Sequence, residues 1–329
     1  MTTINDIAKM ANVSRTTVSR VLNNNGYVSE EVRKRIIQIV EETGYIPSLS
    51  AKSLRTKKSG VIGVIIPRID TETASRVVSG INEVVSKENF QILLTDTELD
   101  KEKEVEYIRL LQSRHVDGII LLATNVNDSL VATIKDVELP FISLGQDLPG
   151  ITSILYDDYH AAVDVTNMLI SNGHERIAFI GVNEDDPSVG FQRKKGYMDT
   201  LKKRGYNLNN SWMETGDFSI ESGYESMKKI IKNSKDQLPT AIFAVTDRMA
   251  IGAMEYLREQ GHRIPDDIAV AAIGASTMSQ YVTPSLTTVD YFNKEAGQKA
   301  AELLLQQLKQ NKEIEKFVQT YRLIKRDSV

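Results

Sequence analysis

Cysteine is absent from the 329 residues, tryptophan occurs once and histidine four times. Without thiols there is no disulfide, no thiolate nucleophile and no cysteine-based zinc site, and a reducing compartment is expected. The histidines, His115, His160, His174 and His262, are scattered at spacings unlike those of metal ligands, so no metal centre is expected. No apolar run nears the roughly 18–20 residues of a membrane span; the best covers residues 61–67. The N-terminal Met-Thr-Thr-Ile-Asn-Asp lacks a basic segment followed by an apolar one, so the expectation is a cytoplasmic protein that is not exported and meets no membrane. Also missing are a Gly-x-Ser-x-Gly elbow, a His-Glu-x-x-His helix, a phosphate-binding P-loop and a Gly-x-Gly-x-x-Gly turn after a strand. An enzyme is therefore not expected, nor a cofactor. The acidic pairs Asp157-Asp158 and Asp185-Asp186 read as loop or helix-cap residues.

What is present describes a globular chain of two or three domains, with 41% hydrophobic and 26% charged residues. Its formal charge of −4 argues against nucleic acid only if the charge is evenly spread. It is not. Residues 1–60 hold ten Lys and Arg against five acids, a balance of +5, which leaves −9 on the remainder. Such asymmetry indicates a small basic module on a larger acidic body.

The module reads as three short helices. Thr3 is placed to cap the first, with Asp6 at the third helical position as in a capping box. Ser14 is placed to cap a second helix through Leu22, which Asn23, Asn24, Asn25 and Gly26 end. Ser29 is placed to cap a third, with Gly44 at its stop. Two helices joined by a tight turn, the second carrying Arg15, Thr16, Thr17, Ser19 and Arg20, make a helix-turn-helix whose second helix fits the major groove. The alternative on pattern alone is a three-helix bundle that packs on the body. Residues 47–60 form a linker with at most one short helix, about residues 48–56.

From residue 61 β-branched runs alternate with amphipathic helices, at 61–66, 91–95, 118–122, 141–144, 177–180, 241–245, 268–273 and 287–290. This spacing predicts an α/β body of two doubly wound parallel-sheet halves, first crossing near residues 157–172. The default ligand site is then the cleft outside the carboxyl ends of the strands.

The residues themselves go further. Ile4-Asn5-Asp6-Ile7-Ala8, Thr17-Val18-Ser19-Arg20-Val21-Leu22-Asn23, Gly44-Tyr45-Ile46-Pro47 and Ala51-Lys52-Ser53-Leu54 closely resemble the LacI/GalR family of bacterial transcription repressors. The resemblance continues through Val116-Asp117-Gly118-Ile119-Ile120, Gly173-His174-Glu175-Arg176-Ile177-Ala178, Asp247-Arg248-Met249-Ala250 and Pro284-Ser285-Leu286-Thr287-Thr288-Val289, and covers essentially the whole chain. It implies a headpiece at 1–46, a hinge at 47–60 and a core at 61–329 like the periplasmic sugar-binding fold. A homodimer on a pseudo-palindromic double-stranded operator is implied too, and the absence of leucine heptads near Val329 fits a dimer rather than a tetramer. By position, Arg15, Thr16 and Arg20 match base-reading residues, while Ser14, Thr17, Asn23 and Tyr45 match phosphate contacts. Ala51, Lys52 and Leu54 match a hinge that inserts a leucine wedge into the minor groove.

For a small-molecule effector between the halves, the resemblance implies Thr71, Thr73, Ser75, Arg193, Phe218, Thr246, Asp247 and Ser276. Two departures stand out. Thr71-Glu72-Thr73-Ala74 replaces an Asn-Pro-Phe-Phe common in the family, and Gly274-Ala275-Ser276-Thr277 replaces a segment with an acidic ligand contact. The hydroxyl-rich set suits a sugar or sugar phosphate, and the overall pattern is similar to sucrose-operon repressors. A regulator of the catabolite-control type, using a phosphocarrier protein as co-repressor, is one alternative. A sugar-binding transport protein is another, although it should carry no basic headpiece.

Overall fold

The computed structural model describes residues 2–22, 24–45, 58–234, 237–310 and 313–329. It separates into two compact units, residues 1–59 and 60–329.

The first unit contains α1 (Ile4–Met10), α2 (Arg15–Leu22) and α3 (Glu30–Thr43). Ile7, Ala8, Ala11, Val18, Val21 and Ile36 form its buried core, so each helix contributes one apolar face. At the start of α1 the capping box is complete: the Asp6 amide donates to the Thr3 hydroxyl, and the Thr3 amide donates to the Asp6 carboxylate at 2.9 Å. The Ser14 hydroxyl accepts the Thr17 amide at 3.1 Å and starts α2. Gly44 closes α3 in the left-handed region with φ 60°. Ser29 differs from expectation, because its side chain makes no capping bond; only its carbonyl joins α3, accepting from Arg33 at 2.9 Å.

Hydrogen bonds from the Thr3 side chain and backbone hold the Asp6 carboxyl below its ordinary 3.8. Because the folded state depresses this value, the capping contribution is complete above pH 3.8 and is lost as pH falls through the lowered folded value. Thr3→Ala is expected to remove the cap, costing about 0.5–2 kcal/mol of headpiece stability. NMR titration of Asp6 should show its value moving up toward 3.8 in the variant. An unchanged Asp6 titration and melting point would reject this role.

The second unit begins with β1 (Val61–Ile66), α4 (Glu72–Val85), β2 (Gln91–Asp96), α5 (Lys101–Ser113), β3 (Gly118–Leu122), α6 (Asp128–Asp136), β4 (Phe141–Leu144) and β5 (Thr152–Tyr156). It continues with α7 (Asp158–Ser171), β6 (Ile177–Gly181), α8 (Arg193–Lys203), β7 (Met213–Thr215), α9 (Ile220–Asn233), β8 (Ala241–Ala244), α10 (Asp247–Glu259), β9 (Ala269–Ala271), α11 (Met278–Tyr281) and β10 (Thr288–Asp290). Last come α12 (Asn293–Lys309), β11 (Lys316–Gln319) and β12 (Arg322–Ile324).

Six strands in the order β11-β5-β4-β3-β1-β2 make the first sheet, every neighbouring pair parallel. Alternation along β1 sends Ile62, Val64 and Ile66 to the helices α4 and α12, and Ile65 to α5 and α6. With both faces covered, β1 and β3 read as continuous apolar runs. The second sheet, β7-β6-β8-β9, is also parallel and shares one core with α7, α8, α9 and α10. The strands β10 and β12 pair antiparallel beside it, where Thr287 bridges Ala271. The chain passes between these lobes three times: after Tyr156, after Asp290 and after Gln319. Three short crossings in one region make a hinge, and they leave the carboxyl ends of both sheets facing a common cleft.

Candidate DNA-reading helix and ligand cleft

In the headpiece, burial of Val18 and Val21 turns the opposite face of α2 outward, so Arg15, Thr16 and Arg20 are exposed. Ser14 and Thr17 are tied to each other, their hydroxyls 2.9 Å apart. Tyr45 is half-buried against the helical core. Asn23, Ala51, Lys52 and Leu54, with the expected hinge helix, lie outside the described residues. Reading by motif passed over Tyr27, which is 92% exposed after the turn that ends α2. Its signal was available: an aromatic directly behind Gly26, in a polar turn, has no apolar partner in register.

In the second unit a cavity of about 410 Å³ occupies the cleft. Most strand ends of the first sheet supply wall residues: Arg68, Asp70 and Thr71 after β1, Leu99 after β2, Thr124 after β3, Gln146 after β4 and Asp158 after β5. The opposite lobe supplies Asp186, Ser188 and Arg193 after β6, Thr246, Asp247 and Arg248 after β8, and Ser276 after β9.

The floor is a buried polar network. The Arg193 Nε donates to Asp158 Oδ1 at 2.6 Å, and a terminal nitrogen donates to the Val245 carbonyl. The Tyr291 hydroxyl also donates to Asp158, at 2.9 Å, and its ring lies 5.5 Å beneath the guanidinium. The Tyr156 ring lies 4.8 Å from that of Tyr291, tilted by 37°, and its hydroxyl donates to Asn293 at 2.8 Å. Burial, with the Asp158 charge, pushes both tyrosine hydroxyls far above their ordinary range, so they stay protonated donors. Burial also raises the Asp247 carboxyl, against the pull of bonds from Thr288 and Ser276. Asp186 is likewise raised by burial, although one of its oxygens accepts from Gln146, Ser188 and Val189, each at 3.0 Å.

Of the expected contacts, the cavity wall includes Thr71, Thr73, Arg193, Phe218, Thr246, Asp247 and Ser276. Ser75 is not among them; one turn into α4 the helix has carried it round to solvent. Several of the others are already engaged. Asp247 accepts the Ser276 amide and hydroxyl at 2.6 and 2.9 Å and the Thr288 hydroxyl at 2.5 Å. Thr71 caps α4 and Thr246 caps α10. Phe218 lines the wall with φ 70°, a strained conformation for an aromatic residue. The reading of Asp157-Asp158 and Asp185-Asp186 as loop or helix-cap residues holds for Asp157 and Asp186, which cap, and for Asp185, which lies in an exposed turn, but Asp158 is instead a buried ion-pair partner.

Polar contacts also cross the mouth of the cleft. Glu72 on α4 accepts from the Thr277 amide and hydroxyl at 2.7 and 2.6 Å, and Arg76 donates to the Ala275 carbonyl at 2.8 Å. Gln146 reaches Asp186, and Ser188 donates to the Gly145 carbonyl at 2.8 Å. These hydrogen bonds tie the two lobes to each other across the cleft. Among the described residues no helix is long and apolar enough to cross a membrane.

Residues 3–48 match the model of bacterial regulatory proteins of the lacI family, and residues 166–329 match a periplasmic binding protein-like domain. The chain is 32% identical to the HTH-type transcriptional repressor PurR of Aliivibrio fischeri, over 94% of this chain and 92% of that protein. It is also 32% identical to catabolite control protein A of Priestia megaterium, over 87% and 86% of the two chains. The crystal structure of the lac repressor dimer bound to operator and the anti-inducer ONPF superposes with a TM-score of 0.89 at 25% identity, covering 99% of this chain and 98% of that one. The chain, a helix-turn-helix unit followed by a two-lobed unit with a cleft, accordingly belongs to the lacI family of bacterial regulatory proteins, DNA-binding transcriptional repressors.

Proposed function

We propose that this repressor controls a carbohydrate-utilisation operon, binding operator DNA as a cytoplasmic homodimer and responding to a sugar or sugar phosphate in the cleft, with sucrose or a sucrose derivative as the first compound to test. The observation that carries the reading is the cavity wall itself. It sets the hydroxyl, amide and carboxylate groups of Thr71, Thr124, Gln146, Ser188, Asp186 and Ser276 among apolar residues and the rings of Tyr156, Phe218 and Tyr291, a mixture that suits a polyhydroxylated ligand with C–H faces. Arg15, Thr16 and Arg20 read bases in the major groove, while Ser14, Thr17, Asn23, Tyr45 and the exposed Tyr27 meet the backbone. Ala51, Lys52 and Leu54 enter the minor groove, where a leucine wedge partly unstacks a base step.

The ligand changes operator affinity only to the extent that it binds the open and closed clefts differently. A titration of operator binding against sucrose, fructose, glucose and their phosphates tests this directly. One compound is expected to shift operator affinity by tenfold or more, and the same complex should weaken steeply with salt, each phosphate contact adding about −0.9 to the log–log slope. Leu54→Ala should weaken operator binding without changing the sugar response. A flat salt slope removes DNA binding from the reading, and no shift with any sugar removes the effector. The likeness to a catabolite control protein favours one second reading, a phosphocarrier protein as co-repressor. Tightening of operator binding by that protein in the absence of sugar would select it.

A further inference from the structure

Granting that the cleft is the effector site, the charged groups on its wall divide into those fully engaged with the protein and those only partly so. Arg193 is satisfied by Asp158, both side chains under one-tenth exposed. Asp247 is satisfied by Ser276 and Thr288. At the end of the cavity between β1 and β8 the account is different. Arg68 from one lobe and Arg248 from the other both line the wall and share a single carboxylate, Asp70. Arg68 holds it with two parallel bonds, at 2.9 and 2.7 Å, and Arg248 adds a longer one at 3.2 Å.

Three features separate this end from an ordinary surface ion pair. Two guanidiniums carried by different lobes meet at one carboxylate, and Arg248 reaches its side chain only by a single longer bond. The Nε of Arg248 is buried without any hydrogen-bond partner, a rare condition for a charged donor and one that a ligand acceptor would relieve. Asp70 is 48% exposed, so it can swing out to water at little cost. The neighbouring acids Asp96 and Asp217 act on Arg68 through space only: Asp96 accepts the Ile69 and Glu98 amides at 3.0 and 2.9 Å, Asp217 accepts the Ser219 amide at 3.0 Å, and neither lines the cavity.

We propose that Arg68 and Arg248 form a two-lobed clamp for a phosphoryl group, which makes the effector a phosphorylated sugar, with Asp70 the resident counter-ion that the phosphate displaces. A neutral hydroxyl would have no means of displacing Asp70. A carboxylate such as Asp70 takes one fork and only a single longer bond from the second guanidinium, whereas the terminal oxygens of a phosphate monoester can take forks arriving from two directions. Because each arginine belongs to a different lobe, the phosphoryl group bonds fully only when the cleft is shut, and so binds the closed state preferentially. The sugar part then lies toward Arg193, Gln146 and Ser188.

The test is calorimetry on the full chain at fixed ionic strength with matched pairs: sucrose and sucrose 6-phosphate, fructose and fructose 6-phosphate, glucose and glucose 6-phosphate, and inorganic phosphate alone. At least one ester is expected to bind tenfold or more tighter than its neutral parent. Arg248→Gln should collapse that ratio toward one, while Asp70→Asn should increase it by removing the competing carboxylate. Opposite responses from two neighbouring substitutions cannot arise from misfolding. A ratio near or below one in the unaltered protein overturns the clamp, as does a ratio that neither substitution moves. Inorganic phosphate binding as tightly as the esters overturns the sugar ester. Neutral sugars that bind and release operator as well as their esters defeat the clamp alone, whereas silence from every compound defeats the effector reading with it.

Discussion

Asp158→Ala is expected to destabilise the two-lobed core by about 3–5 kcal/mol, the usual result of deleting one partner of a buried ion pair. The side chain is 2% exposed and that of Arg193 8%, so neither charge can turn to water when the other is lost. Removal strands the guanidinium between the Tyr291 ring and the Val245 carbonyl and leaves the Tyr291 hydroxyl without its acceptor. Denaturant unfolding of the core transition measures the loss, and a change under 1 kcal/mol would show that the pair is not structural. A double variant, Asp158→Leu with Arg193→Met, separates charge from packing. It should recover most of the stability, since an apolar pair of similar volume replaces a buried ion pair at little cost. Sugar binding should stay lost in it, because the polar floor of the cleft is gone.

Gly252→Ala is the second large effect. A Cβ there would lie 1.9 Å from the Ile220 carbonyl oxygen, and one at Gly223 would lie 2.1 Å from that of Met249. The helices α9 and α10 touch backbone to backbone at these two glycines, so no side chain can yield and the helices must separate by more than 1 Å. The expected cost is about 3 kcal/mol or more, at the upper end of overpacking effects. The pair α4 and α12 repeats the arrangement, with a Gly80 Cβ 2.0 Å from the Lys294 oxygen and a Gly297 Cβ 2.2 Å from that of Val77. Thermal melts of Gly252→Ala beside exposed Lys228→Ala, which should stay within about 0.5 kcal/mol of the parent, check the claim. Equal melting temperatures would mean that the helices slide freely.

The eight strands read from apolar runs all exist, because a strand buried on both faces announces itself as continuous β-branched sequence. The four that escaped notice have weaker signals for stated reasons. Strand β5 opens with Thr152 and Ser153, buried yet polar, which are tolerated inside a sheet only because Gln307 donates to Thr152 at 3.0 Å and the Ser153 hydroxyl to the Ile151 carbonyl at 3.0 Å. Strand β11 is an edge strand with Phe317 and Val318 partly exposed, so its pattern is ambiguous. Strands β7 and β12 have three residues each, as do β9 and β10, but their Met-Glu-Thr and Arg-Leu-Ile lack the flanking β-branched run that marks residues 268–273 and 287–290.

The cleft was legible only in part. Arg193 and Asp247 were found through the resemblance, but their partners were not. Asp158 lies 35 residues before Arg193 and 133 before Tyr291, and Asp70 lies 178 before Arg248. Reading Asp247 and Ser276 as independent ligand contacts missed that each is the other's hydrogen-bond partner.

Local chemistry alone determined the headpiece and the division of labour. Capping residues, turn glycines and a +5 to −9 charge split act within a few residues or sum over a segment, and so they survive in one dimension. The tertiary structure decided which polar groups of the cleft are spent on the protein and which remain for a ligand. Pairing is a matter of distance in space, and only folding brings Arg68 and Arg248 to the two sides of one carboxylate.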